Sequence, residues 1–321
     1  MRIGIAGYGK LGQAVEQLAL ESADIEITGI FTRRGKDKIK ASMSDVYDSE
    51  ELWAFKDRID IVCLCYGSSR DMPKLAPKIA GHFNTVDVFD NHELLSVYKA
   101  SMNEAAKSGG HTSLVALGWD PGFMSVIRLY SAAYLPNAVV NTFWGRGVSQ
   151  GHSEALRGID GVIDAIQYTV PRDDALRVAM CDPRSLSSVE RHRRVCYIYA
   201  EKGKEDLITN EILAMENYFS GYEIEIHFVS GDEIDKYHGS LSHRGRVYAC
   251  GSSGSLGEIK HLINFDLETE SNPDLTASIM LSGARAAMRL YSKQQYGAYD
   301  IFDIPPSYFI PIKCENANYR L

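Results

Sequence analysis

Long apolar runs are missing from this 321-residue sequence, and no stretch is long enough to span a bilayer. The first apolar run begins at Ile3, which leaves no room for a signal peptide ahead of it. Zinc-type spacing and CxxC pairs are absent as well. The six cysteines (Cys63, Cys65, Cys181, Cys196, Cys250, Cys314) are scattered, except that Cys63 and Cys65 lie two apart in an apolar segment. They read as small buried hydrophobes in a reducing, cytoplasmic setting. His152, His192 and His243 have no metal-ligand spacing, so no metal is expected. Basic charge is not in excess. A net charge of -8 and a pI near 5.6 argue against nucleic acid as a general partner. No Ser/His/Asp order, nucleophile elbow, internal repeat or low-complexity tract occurs. What remains, 45% hydrophobic and 24% charged, is an ordinary globular composition with length enough for two domains.

The most informative stretch is Met1 to Gly12. A short apolar run (Ile3, Ile5, Ala6) meets Gly7-Tyr8-Gly9-Lys10-Leu11-Gly12, and an amphipathic segment with Leu11, Val15 and Leu18 follows. Strand, glycine turn and helix in that order are the context a dinucleotide fingerprint requires. Gly7 allows the turn, Gly9 leaves the backbone open to a pyrophosphate, and Gly12 lets helix pack on strand. The helix N-terminus then offers free N–H groups to phosphate. A glycine turn without a ligand is the alternative. The second strand, Ile25 to Phe31, lacks the acidic residue that NAD-preferring folds place at its end. It runs into Thr32-Arg33-Arg34 instead, where two guanidiniums and a hydroxyl suit the 2′-phosphate of NADP; a solvated basic loop is the alternative.

Further strands are expected at Ile59 to Cys65, Asn84 to Phe89 and Ser113 to Leu117, with helices at Pro73 to His82 and Glu93 to Ser108. This alternation predicts an α/β fold, a Rossmann-type doubly wound parallel sheet. Past Asp120 the texture changes. A connecting helix (Phe123 to Tyr134) leads to longer alternating runs at Val139 to Trp144, Val162 to Val170, Arg194 to Ala200, Tyr222 to Val229, Arg246 to Gly251 and Glu258 to Leu267. These predict an α+β domain with a mostly antiparallel sheet, interrupted by helices at Asp173 to Met180 and Glu205 to Met215. The expected domains are residues 1–121 and 122–271, with about 272–321, including a helix from Asp274 to Tyr291, returning to the first.

Two strand ends carry aspartates, Asp90 and Asp120, on the edge where ligands of doubly wound sheets bind. They suit a cationic group such as an ammonium; a helix N-cap is the alternative for each. Trp119 and Trp144 are of a residue type more often found in a core than in a site. Gln150-Gly151-His152-Ser153 reads as a polar loop, with ligand binding and a plain connection as the two alternatives. Arg191 to Arg194 is a short basic run expected to be mostly solvated, with Arg194 able to point inward towards a carboxylate. The residues by themselves therefore lead to an NADP-dependent oxidoreductase acting on a substrate with amino and carboxylate groups.

The chain resembles the meso-diaminopimelate dehydrogenase family over nearly its whole length. The resemblance rests on Gly7 to Gly12, Phe31-Thr32-Arg33-Arg34, Asp90-Asn91-His92, Gly118-Trp119-Asp120-Pro121-Gly122, Thr142-Phe143-Trp144-Gly145, Ser149-Gln150-Gly151-His152-Ser153, Gln167-Tyr168-Thr169 and Asn272-Pro273-Asp274. It implies reversible, NADP-dependent oxidative deamination of the D-centre of meso-2,6-diaminopimelate, with release of ammonia, in bacterial lysine and cell-wall precursor synthesis. It also implies a homodimer, with the second domain serving substrate binding and dimerisation. By motif, Asp90 and Asp120 would hold the reacting amino group. Trp119, Trp144, Gln150 and Gly151 would line the pocket, and Thr169, Arg194, His243 and Asn272 would hold the distal L-amino-acid end. Arg193 and His238 are the alternatives to Arg194 and His243. Cofactor contacts would come from Tyr8 to Leu11, Thr32 to Arg34, Cys65, Tyr66, Gly67, Ser68, Val88, Phe89, Asp90, Leu117, Gly118, Trp119, Asp120 and Pro121. An imine reductase of the same two-domain plan and a non-catalytic NADP(H) sensor are the rival readings.

Overall fold

The computed structural model of the chain describes residues 1–68, 71–182, 184–216, 218–237 and 242–311. In chain order the elements are β1 (Arg2–Ala6), α1 (Lys10–Leu20), β2 (Glu26–Thr32), β3 (Val46–Asp48), β4 (Ile61–Leu64), α2 (Met72–Ala80), β5 (Asn84–Asp87), α3 (Leu95–Gly109), β6 (Thr112–Leu114) and α4 (Phe123–Tyr134). There follow β7 (Val139–Trp144), β8 (Gly147–Val148), α5 (Gln150–Arg157), β9 (Val162–Pro171), α6 (Asp173–Cys181), α7 (Ser188–Arg191), β10 (His192–Ala200), α8 (Glu205–Ala214), β11 (Glu223–Phe228) and α9 (Gly231–Tyr237). The last are β12 (His243–Ser253), β13 (Ile259–Thr269), α10 (Asn272–Ser292) and β14 (Gly297–Tyr299). They form two units, Met1–Val126 with Pro273–Leu321, and Ile127–Asn272.

The first unit is built on a seven-stranded sheet in the order β14-β6-β5-β4-β1-β2-β3, with every pairing parallel. The chain steps from β1 outward to β2 and β3, then returns to β4 on the other side, which places the switch point between β1 and β4. Ile61, Val62, Cys63 and Leu64 of β4 are all buried, because helices cover both faces. On one face Ile3, Ile5, Cys63 and Val86 meet Val15 of α1 and the small-residue side of α10 (Ala277, Ala284, Ala287). On the other, Ala6, Phe31, Val62 and Leu64 meet Met72 and Ile79 of α2 and Tyr98 and Met102 of α3. Alternation along each strand divides the two cores. The Arg285 fork on α10 grips Asp24 through two contacts of 2.8 Å. The return of the chain to the first unit is thus seen through residue 311; residues 312–321 lie outside the described part. The short edge strand β3 and the 3₁₀ turn Ser49–Phe55 carry no alternation long enough to announce them.

The second unit is mostly antiparallel, as expected. It holds two sheets, β11-β10-β9-β8 and β13-β12-β7. The pair β10/β11 is parallel, and α8 supplies the crossover such a pair needs. Leu156 of α5, Ala165 of β9, Cys196 and Ile198 of β10, Ile208 and Ile212 of α8 and Phe219 form the core of the first of these sheets. The polar segment Gln150 to Ser153 is not a loop: it is the first turn of α5, entered from an extended Ser149 and ended at Gly158. Gly151 hides the helical pattern, which becomes apolar only at Ala155 and Leu156. The basic run is likewise not mostly solvated. His192 and Arg194 are 2% and 7% exposed, because β10 starts two residues earlier than its alternation suggests.

Candidate active site

In the first unit the sequence-predicted residues gather at the carboxyl edge of the parallel sheet. Gly7 has φ +94°, and a Cβ at Gly12 would lie 2.3 Å from the Gly7 carbonyl oxygen, so neither position tolerates a side chain. A Cβ at Gly9 would meet nothing within 4 Å, which leaves the backbone there open to an approaching group. Gly9 caps α1 with no side-chain hydrogen bond, and the first turn of α1 holds no acidic residue. That leaves N–H groups and the positive dipole end for an anion.

Next to this cradle, Tyr8 donates its hydroxyl to the fully buried Glu16. The same carboxylate accepts the N–H groups of Ser42, Met43 and Ser44 at 3.1–3.2 Å. Burial pushes the Glu16 carboxyl up, but these bonds outweigh it and hold the group below its ordinary value. The loop after β2 is thereby tied to the glycine turn. Arg34 adds a second tie by donating to the Tyr8 carbonyl. Arg33 is exposed, forks onto Asp71 and lies 5.6 Å over the Tyr66 ring.

Cys65 follows β4 and Ser68 lies three residues on; Ser68 Oγ accepts the N–H of Asp90 at 3.2 Å. Asp90 is exposed beyond β5, and Asp120 is half-buried beyond the neighbouring β6. Asp90 does not act as the simple cap that was its alternative. α3 starts at Leu95 from Leu94, and Asp120 accepts the Ser125 hydroxyl at 3.1 Å across a cis Asp120–Pro121 bond. Trp119 is 8% exposed. One residue that motif reading missed organises both ends. Asp87 Oδ1 accepts the N–H groups of Phe89 and Ala116, and Oδ2 accepts the Tyr98 hydroxyl at 2.6 Å. The Asp87 carbonyl also accepts Leu117 N–H at 2.8 Å.

Inside the second unit, Thr169 and Arg194 face each other across β9 and β10. Arg194 Nη1 donates to Thr169 Oγ1 at 2.6 Å, and the guanidinium lies 4.1 Å over the Tyr222 ring. Strand alternation turns Arg193 to the opposite face, where it pairs with Glu225 at 2.6 Å. The Trp144 and His243 rings meet edge-on at 6.3 Å. Burial pushes the His243 imidazole down. Trp144 is held by another residue the motifs passed over: its backbone N–H donates to His192 Nε2 at 2.9 Å, while His192 Nδ1 faces the Ser188 carbonyl at 3.2 Å. Gly151 lies in the first turn of α5 and Asn272 opens α10. The Gln150 side chain and His238 lie outside the described residues.

A nucleotide cradle with two strand-terminal carboxylates, and a buried arginine–threonine pair on a separate sheet, suit a cofactor and a zwitterionic small molecule. Known proteins agree. The family model described as the diaminopimelic acid dehydrogenase C-terminal domain matches residues 118–271. The meso-diaminopimelate D-dehydrogenase of Acetivibrio thermocellus is 40% identical over 325 residues, covering 100% of this chain and 97% of that relative. The solved Corynebacterium glutamicum diaminopimelate dehydrogenase in complex with diaminopimelate matches with a TM-score of 0.92 at 38% identity, covering 100% of this chain and 98% of that one. An engineered D-amino acid dehydrogenase bound to NADP+ matches with a TM-score of 0.88 at 36% identity, covering 100% and 99%. The chain belongs to the meso-diaminopimelate D-dehydrogenase family.

Proposed function

We infer that this chain catalyses the NADP-dependent, reversible oxidative deamination of the D-centre of meso-2,6-diaminopimelate to L-2-amino-6-oxopimelate and ammonia. The observation that carries this reading is the pair of carboxylates, Asp90 and Asp120, beyond adjacent strands on the same sheet edge as the glycine cradle. The Gly7–Gly12 turn with Thr32, Arg33 and Arg34 would hold NADP, which would supply the hydride acceptor when bound. Further cofactor contacts are assigned to Cys65 to Ser68, Val88 to Asp90 and Leu117 to Pro121.

Asp90 and Asp120 bind the reacting ammonium and hold its proton, because opposite charge favours the charged form. Hydride leaves the carbon only after the nitrogen lone pair is free, so the ammonium must first lose that proton. Water then adds to the resulting substrate iminium and ammonia departs. Deamination therefore runs faster at alkaline than at neutral pH. Trp119, Trp144, Gln150 and Gly151 are assigned to the substrate pocket, and Thr169, Arg194, His243 and Asn272 to the distal L-end. The Thr169–Arg194 bond supports Arg194 over Arg193 for this role. A charge-paired end group discriminates stereoisomers far better than an apolar wall does.

The protein is further assigned to the cytoplasm and to a homodimer. Exposed Leu129, Tyr130 and Tyr134 on α4, and Ile259 and Leu262 on the edge strand β13, support self-association.

The test mixes the protein with NADP and meso-diaminopimelate at alkaline pH and follows NADPH absorbance, with the LL-isomer and NAD as controls. Turnover restricted to the meso isomer with NADP is expected, and Asp120→Asn should abolish most of it. Equal turnover of the LL-isomer would overturn the stereochemical assignment. Light scattering reads the oligomer.

A further inference from the structure

On the face of the second unit's sheet that α5 and α8 cover, polarity rises in one direction. Along β9 the residues run Ala165, Gln167, Thr169; opposite them on β10 stand Ile198, Cys196 and Arg194. The Ala165/Ile198 end belongs to the apolar core, and the other end is the Thr169–Arg194 pair. Gln167 stands between them. It is 0% exposed, and neither Oε1 nor Nε2 of its carboxamide has a hydrogen-bond partner among the described residues.

Its position is fixed on both sides. The backbone N–H of Gln167 donates to Ser153 Oγ at 3.0 Å, and its carbonyl accepts Ser149 N–H at 2.9 Å. Both partners belong to the entry of α5, so the backbone of Gln167 is anchored to that turn. Two more polar atoms of the neighbourhood are buried without a partner among the described residues, Arg194 Nε and His152 Nε2. His152 Nδ1 already contacts Ser149 Oγ at 2.6 Å. Burial, and next the charge of Arg194, push the His152 imidazole down to about 4, so it stays neutral near Arg194.

Buried amides without partners are costly, and an apolar side chain of equal volume would not incur that cost. Retaining one beside a buried guanidinium calls for a ligand. Arg194 offers only donors, which suit a carboxylate. An amino-acid end group also carries an ammonium, and that requires an acceptor. A carboxamide offers both: Oε1 for the ammonium and Nε2 for a carboxylate oxygen.

We propose that Gln167 is a further specificity-determining residue of this enzyme, its carboxamide reading the distal ammonium of the substrate beside Thr169 and Arg194. This assignment rests on the reading of Thr169 and Arg194 as the distal-end subsite.

The experiment compares the unaltered protein with Gln167→Leu and Gln167→Met, using meso-diaminopimelate and D-2-aminopimelate, which lacks only the distal amino group. KM and kcat for each substrate, KM for NADP and the melting temperature are measured. The expected result is a rise of at least tenfold in KM for meso-diaminopimelate. The KM for NADP should stay within twofold, and the melting temperature should be unchanged or higher. The preference for meso-diaminopimelate over D-2-aminopimelate should shrink at least tenfold. A KM for meso-diaminopimelate within twofold of the unaltered protein, in whichever variant folds, overturns the proposal, as does an equal loss on both substrates. Absence of turnover by the unaltered protein would instead sink the activity itself, and the assignment with it.

Discussion

Asp87 and Ala116 are joined across neighbouring strands: the buried carboxylate accepts the Ala116 N–H at 2.9 Å. Through Phe89 N–H the same oxygen also holds the segment leading to Asp90, so one side chain sets the exits of both β5 and β6. Burial pushes the Asp87 carboxyl up to about 6, from an ordinary 3.8, even though Tyr98 and the two N–H groups favour the charged form. A folded-state pKa above the unfolded one stabilises most below 3.8, and that contribution is lost as pH rises through 6. Asp87→Asn keeps an acceptor for both N–H groups and removes the charge. Its melting temperature relative to the parent should therefore be higher at pH 7.5 than at pH 5. Asp87→Ala strands three buried donors, the Phe89 and Ala116 N–H groups and the Tyr98 hydroxyl, and should cost about 2–4 kcal/mol, read by urea unfolding.

His192 should act in the opposite sense. Burial, then the Arg191 charge, push its imidazole down to about 4 from 6.5. The native state therefore binds fewer protons than the unfolded chain, and stability is lost as pH falls from 6.5 towards 4. Protonation would also set an N–H of the ring against the Trp144 N–H. His192→Gln should show a shallower fall in melting temperature over that acid range than the parent. An identical slope would remove His192 from the account.

The two neighbouring arginines should part company. Arg194→Met removes a buried head group bonded to Thr169 and should raise the KM for meso-diaminopimelate by about 10- to 100-fold, the loss expected for a charge-assisted bond. Arg193 pairs with Glu225, both partners being more than a third exposed, and such pairs contribute about 0–1 kcal/mol. Steady-state kinetics of Arg193→Met should stay within about threefold of the parent. The reverse ranking would hand the role to Arg193.

Cofactor choice should rest on Arg33 and Arg34. Arg33→Ala and Arg34→Ala should each raise the KM for NADP by about tenfold or more while leaving that for NAD little changed, since a 2′-phosphate is what a guanidinium reads. Arg34→Ala also loses the tie to the Tyr8 carbonyl, so it should harm NAD use more than Arg33→Ala does. Parallel losses with both cofactors in Arg33→Ala would contradict a phosphate-reading role.

Much of the first unit was legible because its signals are local. Strand, glycine turn and helix follow one another within Arg2–Leu20, and Asp90 and Asp120 mark strand exits a few residues past apolar runs. What escaped depends on register. Gln167 reads as an ordinary polar residue of a half-buried strand until its pairing with Cys196, beside Thr169 and Arg194, shows it to be fully buried. His192 looked like part of a solvated basic run, yet its partner is the N–H of Trp144, on a strand of the other sheet. Asp87 sits in a strand whose other residues are also buried, and nothing in Asn84–Asp87 says that two loops will close on it. The first turn of α5 was obscured for a simpler reason: its polar, glycine-containing start resembles a turn until Leu156 is reached.

The parallel sheet takes β14 from a segment that follows the whole of the second unit in the chain. During translation the inserted unit leaves the ribosome complete while the sheet carrying the glycine cradle still exposes β6 as an open edge. The nucleotide-binding half, though it is synthesised first, is therefore the last to close, and a nascent chain released before residue 297 would present a bare strand to its neighbours.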